Sequence, residues 1–122
     1  MDTWNIVLWV AQGLLALGFG MAGFMKAFRY EQAREQMAWI KDVPGSLARF
    51  IGGVEMLGAV GVILPRLTGI LPWLTPTAAA GLALVMLLAA GFHVSRKEAP
   101  VPNVVLLALA LFVVYGRFAL VA

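Results

Sequence analysis

The sequence predicts an all-α integral membrane protein, an up-and-down bundle of four transmembrane helices. Of its 122 residues, 62% are hydrophobic and 12% are charged, whereas soluble domains average roughly 45–50% apolar and about 25% charged residues. The apolar residues form four runs, and the chain has room for four spans of about 20 residues with short connections. We therefore expect one domain over residues 1–122 and no separate soluble part.

The bounds of the spans follow from the apolar runs and from the proline residues beside them. The second run should stop before Pro65, because proline lacks the N–H that a helix needs. The third should begin with Thr75 as its N-cap and Pro76 at the first helical position. The predicted spans are residues 4–25, 47–64, 76–94 and 103–121.

Basic residues are distributed unevenly among the connections between spans. The connections at 26–46 and 95–102 carry Lys26, Arg29, Arg34, Lys41, Arg96 and Lys97. The connection on the opposite side carries Arg66. Because Lys and Arg are retained on the cytoplasmic side of membranes, we expect a multi-pass protein of the cell membrane with both basic connections in the cytoplasm and both termini outside.

The first connection also has an amphipathic pattern. Its apolar positions are Tyr30, Ala33, Met37 and Ile40, and its polar positions are Glu31, Arg34, Glu35 and Lys41. This helical spacing predicts a segment that either extends the first span or lies on the membrane surface. A solvated extension is favoured over a helix that binds a partner.

Glu55 is the most informative residue of the second span. It lies about 14 Å along its helix, near the middle of a hydrocarbon core about 30 Å thick. Insertion scales give a charged residue there a cost of roughly 2.5 to 3.5 kcal/mol. Glu55 should therefore face the interior and either pair with a cation or be protonated. The expected partners are, in order, Arg117, Lys26 and Arg49.

Six polar residues make up the candidate site: Lys26, Arg49, Glu55, His93, Asn103 and Arg117. If they converge, their excess of positive charge suits an anionic or carbonyl-bearing headgroup. Five of them also have a purely structural interpretation. Glu55 can belong to an ion pair that locks two helices, the three cations can extend to the lipid headgroups, and His93 can be satisfied at the interface.

Several classes of chemistry find no support in the composition. The chain has no cysteine, so it provides neither thiol redox chemistry nor Cys-ligated clusters. With one histidine it lacks two histidine ligands for a haem, and no spacing of ligands indicates a metal. We predict no haem, no metal and no nucleic-acid partner. No catalytic motif is present, and enzymatic activity stays undecided.

An ordered set of polar and small residues resembles a known family. It consists of Gly23-x-x-Lys26, Arg49-x-x-Gly52-x-x-Glu55, Leu64-Pro65, His93-Val-Ser-Arg96, Asn103 and Gly116-Arg117. This pattern resembles the DoxX and DoxX-like family of small four-helix membrane proteins over essentially the whole chain. The resemblance implies an up-and-down bundle, but no single activity. The family name is linked to a quinol-oxidising membrane complex, and distant relatives are linked to receptor assembly.

Two functions are then nearly equal expectations. One is an accessory subunit that binds a quinone or another small lipophilic ligand, such as a lipid, in a bundle pocket with a polar end. The other is a non-enzymatic assembly factor or interaction module with a membrane-protein partner. An oligomeric transporter ranks below both, because one short chain without inverted repeats needs further copies to form a path. An internal cavity favours ligand binding, and a closed interior favours interaction.

Overall fold

The computed structural model describes residues 3–120 and is helical, with no strand in that range. Its α-helices are α1 Thr3–Phe28, α2 Tyr30–Gln36, α3 Gly45–Gly61, α4 Leu64–Thr68, α5 Leu74–Ser95 and α6 Val101–Tyr115. A 3₁₀ helix covers Ala38–Asp42, and a π-helical turn covers Gly116–Leu120. Four segments are long and apolar enough to cross a membrane: Thr3–Phe28, Gly45–Thr68, Leu74–Ser95 and Val101–Ala119. The predicted all-α membrane fold is confirmed.

Consecutive spans are neighbours in the bundle. Helix α1 packs most extensively against α3, and α5 packs most extensively against α6, while α1 also contacts α6 and α3 contacts α5. The bundle therefore has a basic end, formed by the connections 29–44 and 96–100, and a terminal end, where α1 begins and α6 finishes. Its central core includes Leu15, Phe19, Val62, Leu82, Met86 and Val113. Large apolar side chains also cover the outside, as a bilayer requires.

Helices α1 and α3 touch backbone to backbone at two glycines. A Cβ on Gly23 would lie 2.5 Å from the carbonyl oxygen of Gly52, and a Cβ on Gly52 would lie 2.7 Å from that of Gly23. Small residues permit this close approach between membrane helices. In the motifs Gly23-x-x-Lys26 and Gly52-x-x-Glu55, the glycines therefore form the contact between the helices. This contact brings Lys26 and Glu55 together.

The first connection folds back onto the basic end of α3. Ala33 and Ile40 are fully buried against Ala48 and form a second small core. The predicted apolar face is therefore real, but it does not extend the first span, because α1 stops at Phe28 and α2 starts afresh at Tyr30. The connection instead closes the basic end of the bundle.

Two predicted helix boundaries are wrong. Pro65 does not stop the second span but lies in the first turn of α4, where its missing N–H is tolerated. Thr75 does not cap the third span, because α5 already begins at Leu74. The Thr75 hydroxyl is buried, and no residue among those described bonds to it. The predicted end of the fourth span, at residue 121, lies outside the described residues.

Candidate functional site

A buried ion pair joins α1 to α3. The Lys26 Nζ donates to Oε1 of Glu55 at 2.7 Å, and the two side chains are 8% and 2% exposed. The prediction that Glu55 faces the interior and pairs with a basic residue is confirmed. The predicted order of partners is wrong, because Lys26 takes the place expected of Arg117.

A large cavity lies beside the ion pair. Its volume is about 750 Å³, within the range of roughly 300–1,000 Å³ that is typical of small-molecule sites. Its walls come from α1, α3, α5, α6 and the first connection, and most of the lining is apolar. Four polar side chains also line it: Lys26, Glu55, His93 and Asn103. Four of the six predicted site residues therefore meet at one cavity.

The cavity has a route to the outside of the bundle. Leu47 and Phe50 on α3 and Leu88 on α5 belong to its lining and are also exposed. Since these three residues belong both to the cavity lining and to the apolar outer surface, the cavity reaches that surface at α3 and α5. Met37 and Val43 of the first connection complete the lining.

A network of four charged or titratable side chains lies at the basic end. The Nδ1 of His93 lies 3.0 Å from Oε1 of Glu98, and Arg96 Nε donates to the same oxygen at 3.0 Å. Arg96 also donates to Asp42 of the first connection. We call His93, Arg96, Glu98 and Asp42 the loop latch, because they join the two basic connections.

The electrostatics of the loop latch favour its charged carboxylate. The hydrogen bond from His93 and the charge of Arg96 lower the pKa of Glu98 from its ordinary value. The hydrogen bond to Asp42 raises the pKa of Arg96. Within residues 3–120, no three His, Cys, Asp or Glu side chains are grouped so that they could hold a metal ion.

Two oxygen atoms in the cavity lining have unused capacity to accept hydrogen bonds. Glu55 accepts one hydrogen bond from the described side chains, through Oε1, and none of those side chains donates to its Oε2. Asn103 donates through Nδ2 to the sulfur of Met86 at 3.6 Å, and its Oδ1 likewise accepts nothing within the described range. Both atoms belong to side chains that line the cavity.

A comparison with protein families identifies the family of the chain. A family model described as the DoxX-like family matches residues 10–114. The chain belongs to the DoxX-like family. The matched range contains the ion pair and every residue that lines the cavity. No curated protein and no solved structure matches the chain.

Arg49 of this DoxX-like protein does not join the cavity. It is exposed, and its guanidinium lies 4.9 Å from the centre of the Tyr30 ring. It lies six positions before Glu55, and at about 100° per residue the two side chains leave α3 about 120° apart, on different faces. Arg49 packs against the first connection instead.

Arg117 is also absent from the cavity of the DoxX-like protein. It is 2% exposed, and it donates at 2.7 Å to Gln12 Oε1 and at 2.7 Å to Asn5 Oδ1. Its guanidinium lies 5.5 Å from the centre of the Trp9 ring. The interpretation that Arg117 extends to the headgroups is therefore wrong, and so is its predicted pairing with Glu55.

Gln12 is the residue that the sequence analysis missed. Its side chain is fully buried, and its Nε2 donates to the carbonyl oxygen of Val62 at 2.7 Å while its Oε1 accepts from Arg117. Val62 lies at the break between α3 and α4, where helical hydrogen bonding is interrupted. A buried amide within an apolar span was the available signal, since such a group needs partners. Gln12, Arg117 and Asn5 thus form a hydrogen-bonded cluster that joins the helices at the terminal end.

Proposed function

We propose that this DoxX-like protein binds a small lipophilic molecule, a quinone or a lipid, which enters the cavity from the bilayer. The observation that carries the proposal is the cavity of about 750 Å³, whose lining is mainly apolar and whose polar groups are few and convergent. Such a lining suits a ligand with an apolar body and one polar end, because a small number of polar groups fixes its orientation.

The position of the opening supports entry from the membrane. A lipophilic molecule is concentrated in the bilayer, and the exposed lining residues Leu47, Phe50 and Leu88 lie on the lipid-facing surface. The ligand could therefore reach Lys26 and Glu55 with its apolar part shielded from water throughout. Burial of that part would provide most of the binding free energy.

The proposed role is that of an accessory subunit, which binds and presents the ligand to a membrane-protein partner. The chain has no cysteine, so a thiol-based redox step on a bound quinone would need groups from another protein. A pure interaction module is the competing function, and for that function a closed interior was expected. The cavity beside Glu55 favours ligand binding over that alternative.

Native mass spectrometry of the detergent-purified protein tests the proposal. The wild-type protein is expected to retain a quinone or lipid. Ala89 lines the cavity, so Ala89→Phe should fill part of the cavity and abolish retention of the ligand. Ala80→Phe adds the same ring at an exposed position of the same helix and should leave retention of the ligand unchanged. Equal occupancy of the two variants, or an unoccupied wild-type protein, would overturn the proposal.

A further inference from the structure

We infer that the cavity selects neutral ligands that carry a hydroxyl group, and that Glu55 accepts the hydrogen bond from that hydroxyl. This inference rests on the proposed function, because it assumes that a lipophilic ligand occupies the cavity. It adds the charge and the hydrogen-bonding class of the ligand's polar end, which the shape of the cavity does not determine.

The charges at the cavity argue against an anionic ligand. The Lys26 ammonium is matched at 2.7 Å by the Glu55 carboxylate. Arg49 and Arg117 lie outside the cavity, so the excess of cations expected from the sequence is not gathered there. His93 already has the carboxylate of Glu98 at 3.0 Å. An anion would therefore meet a balanced site and would be repelled by the adjacent Glu55.

The hydrogen-bonding groups argue for a donor on the ligand. A carboxylate only accepts hydrogen bonds and has about four sites for them, yet Glu55 receives one bond from the described residues, at Oε1. Its side chain is 2% exposed, yet Oε2 is not among the fully buried side-chain atoms that lack a partner, so this oxygen is open to the cavity that Glu55 lines. A hydroxyl on the ligand, as on a hydroxyl-bearing lipid or on the reduced, quinol form of a quinone, would supply the missing donor to Oε2. An ether, or the carbonyl groups of the oxidised quinone, would not.

Asn103 provides a second acceptor on the opposite wall of the cavity. Its Oδ1 receives no hydrogen bond from the side chains that the structure describes, while its Nδ2 makes one long contact with the sulfur of Met86 at 3.6 Å. A sulfur atom is a weak acceptor, so the amide can turn without losing a strong bond. Glu55 and Asn103 thus present acceptors from α3 and α6 to one ligand.

Three probes with the same alkyl chain separate the possibilities: a 4-alkylphenol, its methyl ether and the matching 4-alkylbenzoate. Each is titrated against wild-type protein in nanodiscs of neutral lipid at pH 7, and Ala89→Phe protein corrects for partition into the lipid. The phenol is expected to bind at least about tenfold more tightly than the ether, equivalent to about 1.4 kcal/mol, and the benzoate is expected to bind most weakly.

The variant Glu55→Gln tests the assignment to this carboxylate. The amide keeps the shape but removes the negative charge and leaves Lys26 as a cation beside the ligand. The preference for phenol over the ether should fall, because an amide oxygen is a weaker acceptor than a carboxylate. A merely structural role for Glu55 would leave that preference unchanged, and a changed preference for benzoate alone would report only the lost charge. Asn103→Leu avoids the ion pair altogether. It should weaken phenol without improving benzoate, which keeps the test decisive if Glu55→Gln does not fold.

The outcomes distinguish this inference from the proposed function. Equal binding of phenol and ether, or preferred binding of benzoate by the wild-type protein, would overturn the inference while leaving a ligand-binding cavity. Equal signals from all probes on wild-type and Ala89→Phe protein would instead overturn the proposed function itself.

Discussion

Gly52 of α3 lies directly beneath the stem of Lys26 of α1. A Cβ on Gly52 would come within 2.7 Å of the Cβ of Lys26. Lys26 is level with Gly52, and Glu55 lies three residues further along α3, so the two charged residues are about 4.5 Å apart along the bundle axis at a rise of about 1.5 Å per residue. Helical side chains lean towards their own N-terminus, so Lys26 and Glu55 lean towards each other. Because Gly52 has no side chain, Lys26 can extend past it to Glu55.

Gly52→Ala should therefore destabilise the bundle. The added methyl group overpacks the contact between α1 and α3, and overpacking typically costs about 1–3 kcal/mol. Gly53 is the matched control, because a Cβ there would meet nothing within 4 Å. Gly53→Ala should be neutral or stabilising by up to about 1 kcal/mol through helix propensity. Reversible unfolding in mixed detergent micelles measures both, and equal effects would contradict the proposed close approach.

The Lys26–Glu55 pair should be strongly coupled energetically. Lys26→Met or Glu55→Gln alone leaves one buried charge without its partner, at a cost of about 3–5 kcal/mol in the strongly desolvated limit. The double variant removes both charges and should be more stable than the sum of the single changes predicts. The exposed pair Arg34–Glu31, 43% and 79% exposed, is the control and should show coupling below about 1 kcal/mol. Additive effects at positions 26 and 55 would argue against the ion pair.

The sequence could indicate Glu55 but could not name its partner with certainty. Depth in the membrane predicts that a carboxylate faces inward, and the small residues of α3 indicate which face is inward. The choice between Lys26 and Arg117 depends on which end of the bundle each cation reaches. Gln12 decides this for Arg117, because it holds the guanidinium at the terminal end. Hydropathy gives no information on such a contact between residues 105 positions apart.

Helical periodicity predicted part of the cavity lining, but the contacts of the loop latch depend on tertiary packing. Periodicity placed His93 and Asn103 at the basic end, where both indeed line the cavity. The Arg96–Asp42 contact depends on how the first connection folds back, which is set by the burial of Ile40 against Ala48. Tertiary packing of this kind is not encoded in the period of one helix. Local rules likewise gave the wrong role to Pro65, because proline both ends and begins helices.

Arg117→Met should weaken the fold without changing ligand selection. The substitution removes hydrogen bonds to Gln12 and Asn5 within a buried cluster, and we expect a loss of about 1–3 kcal/mol in the free energy of unfolding. Arg117 does not line the cavity, so the preference for phenol over ether should persist in the folded variant. A changed preference would place Arg117 in the ligand site and contradict its structural role.

The orientation in the membrane is predicted from the basic residues of the two connections at the basic end. Single cysteines can be introduced at the exposed residues Gln36, Ala99 and Thr68, because the native chain has no cysteine. In intact cells, an impermeant thiol reagent should label position 68 and leave positions 36 and 99 unlabelled. Labelling of all three after membrane permeabilisation is the control for accessibility. The reverse pattern would place the basic connections outside the cytoplasm.

The contribution of Glu98 to stability should depend on pH with a defined sign. Its pKa in the folded protein is lowered from the ordinary value of 4.5, first by the hydrogen bond from His93 and also by the charge of Arg96. A lowered pKa means that the folded state favours the ionised carboxylate. The stabilisation is therefore fully present above pH 4.5 and is lost as the pH falls through the folded-state pKa. The Tm of wild-type protein should therefore exceed that of Glu98→Gln at neutral pH, and the difference should shrink in acid. Glu35→Gln, which removes an exposed carboxylate from the first connection, controls for the change in net charge. A difference that stays constant down to acidic pH, or that grows there, would show that the loop latch does not depend on an ionised Glu98.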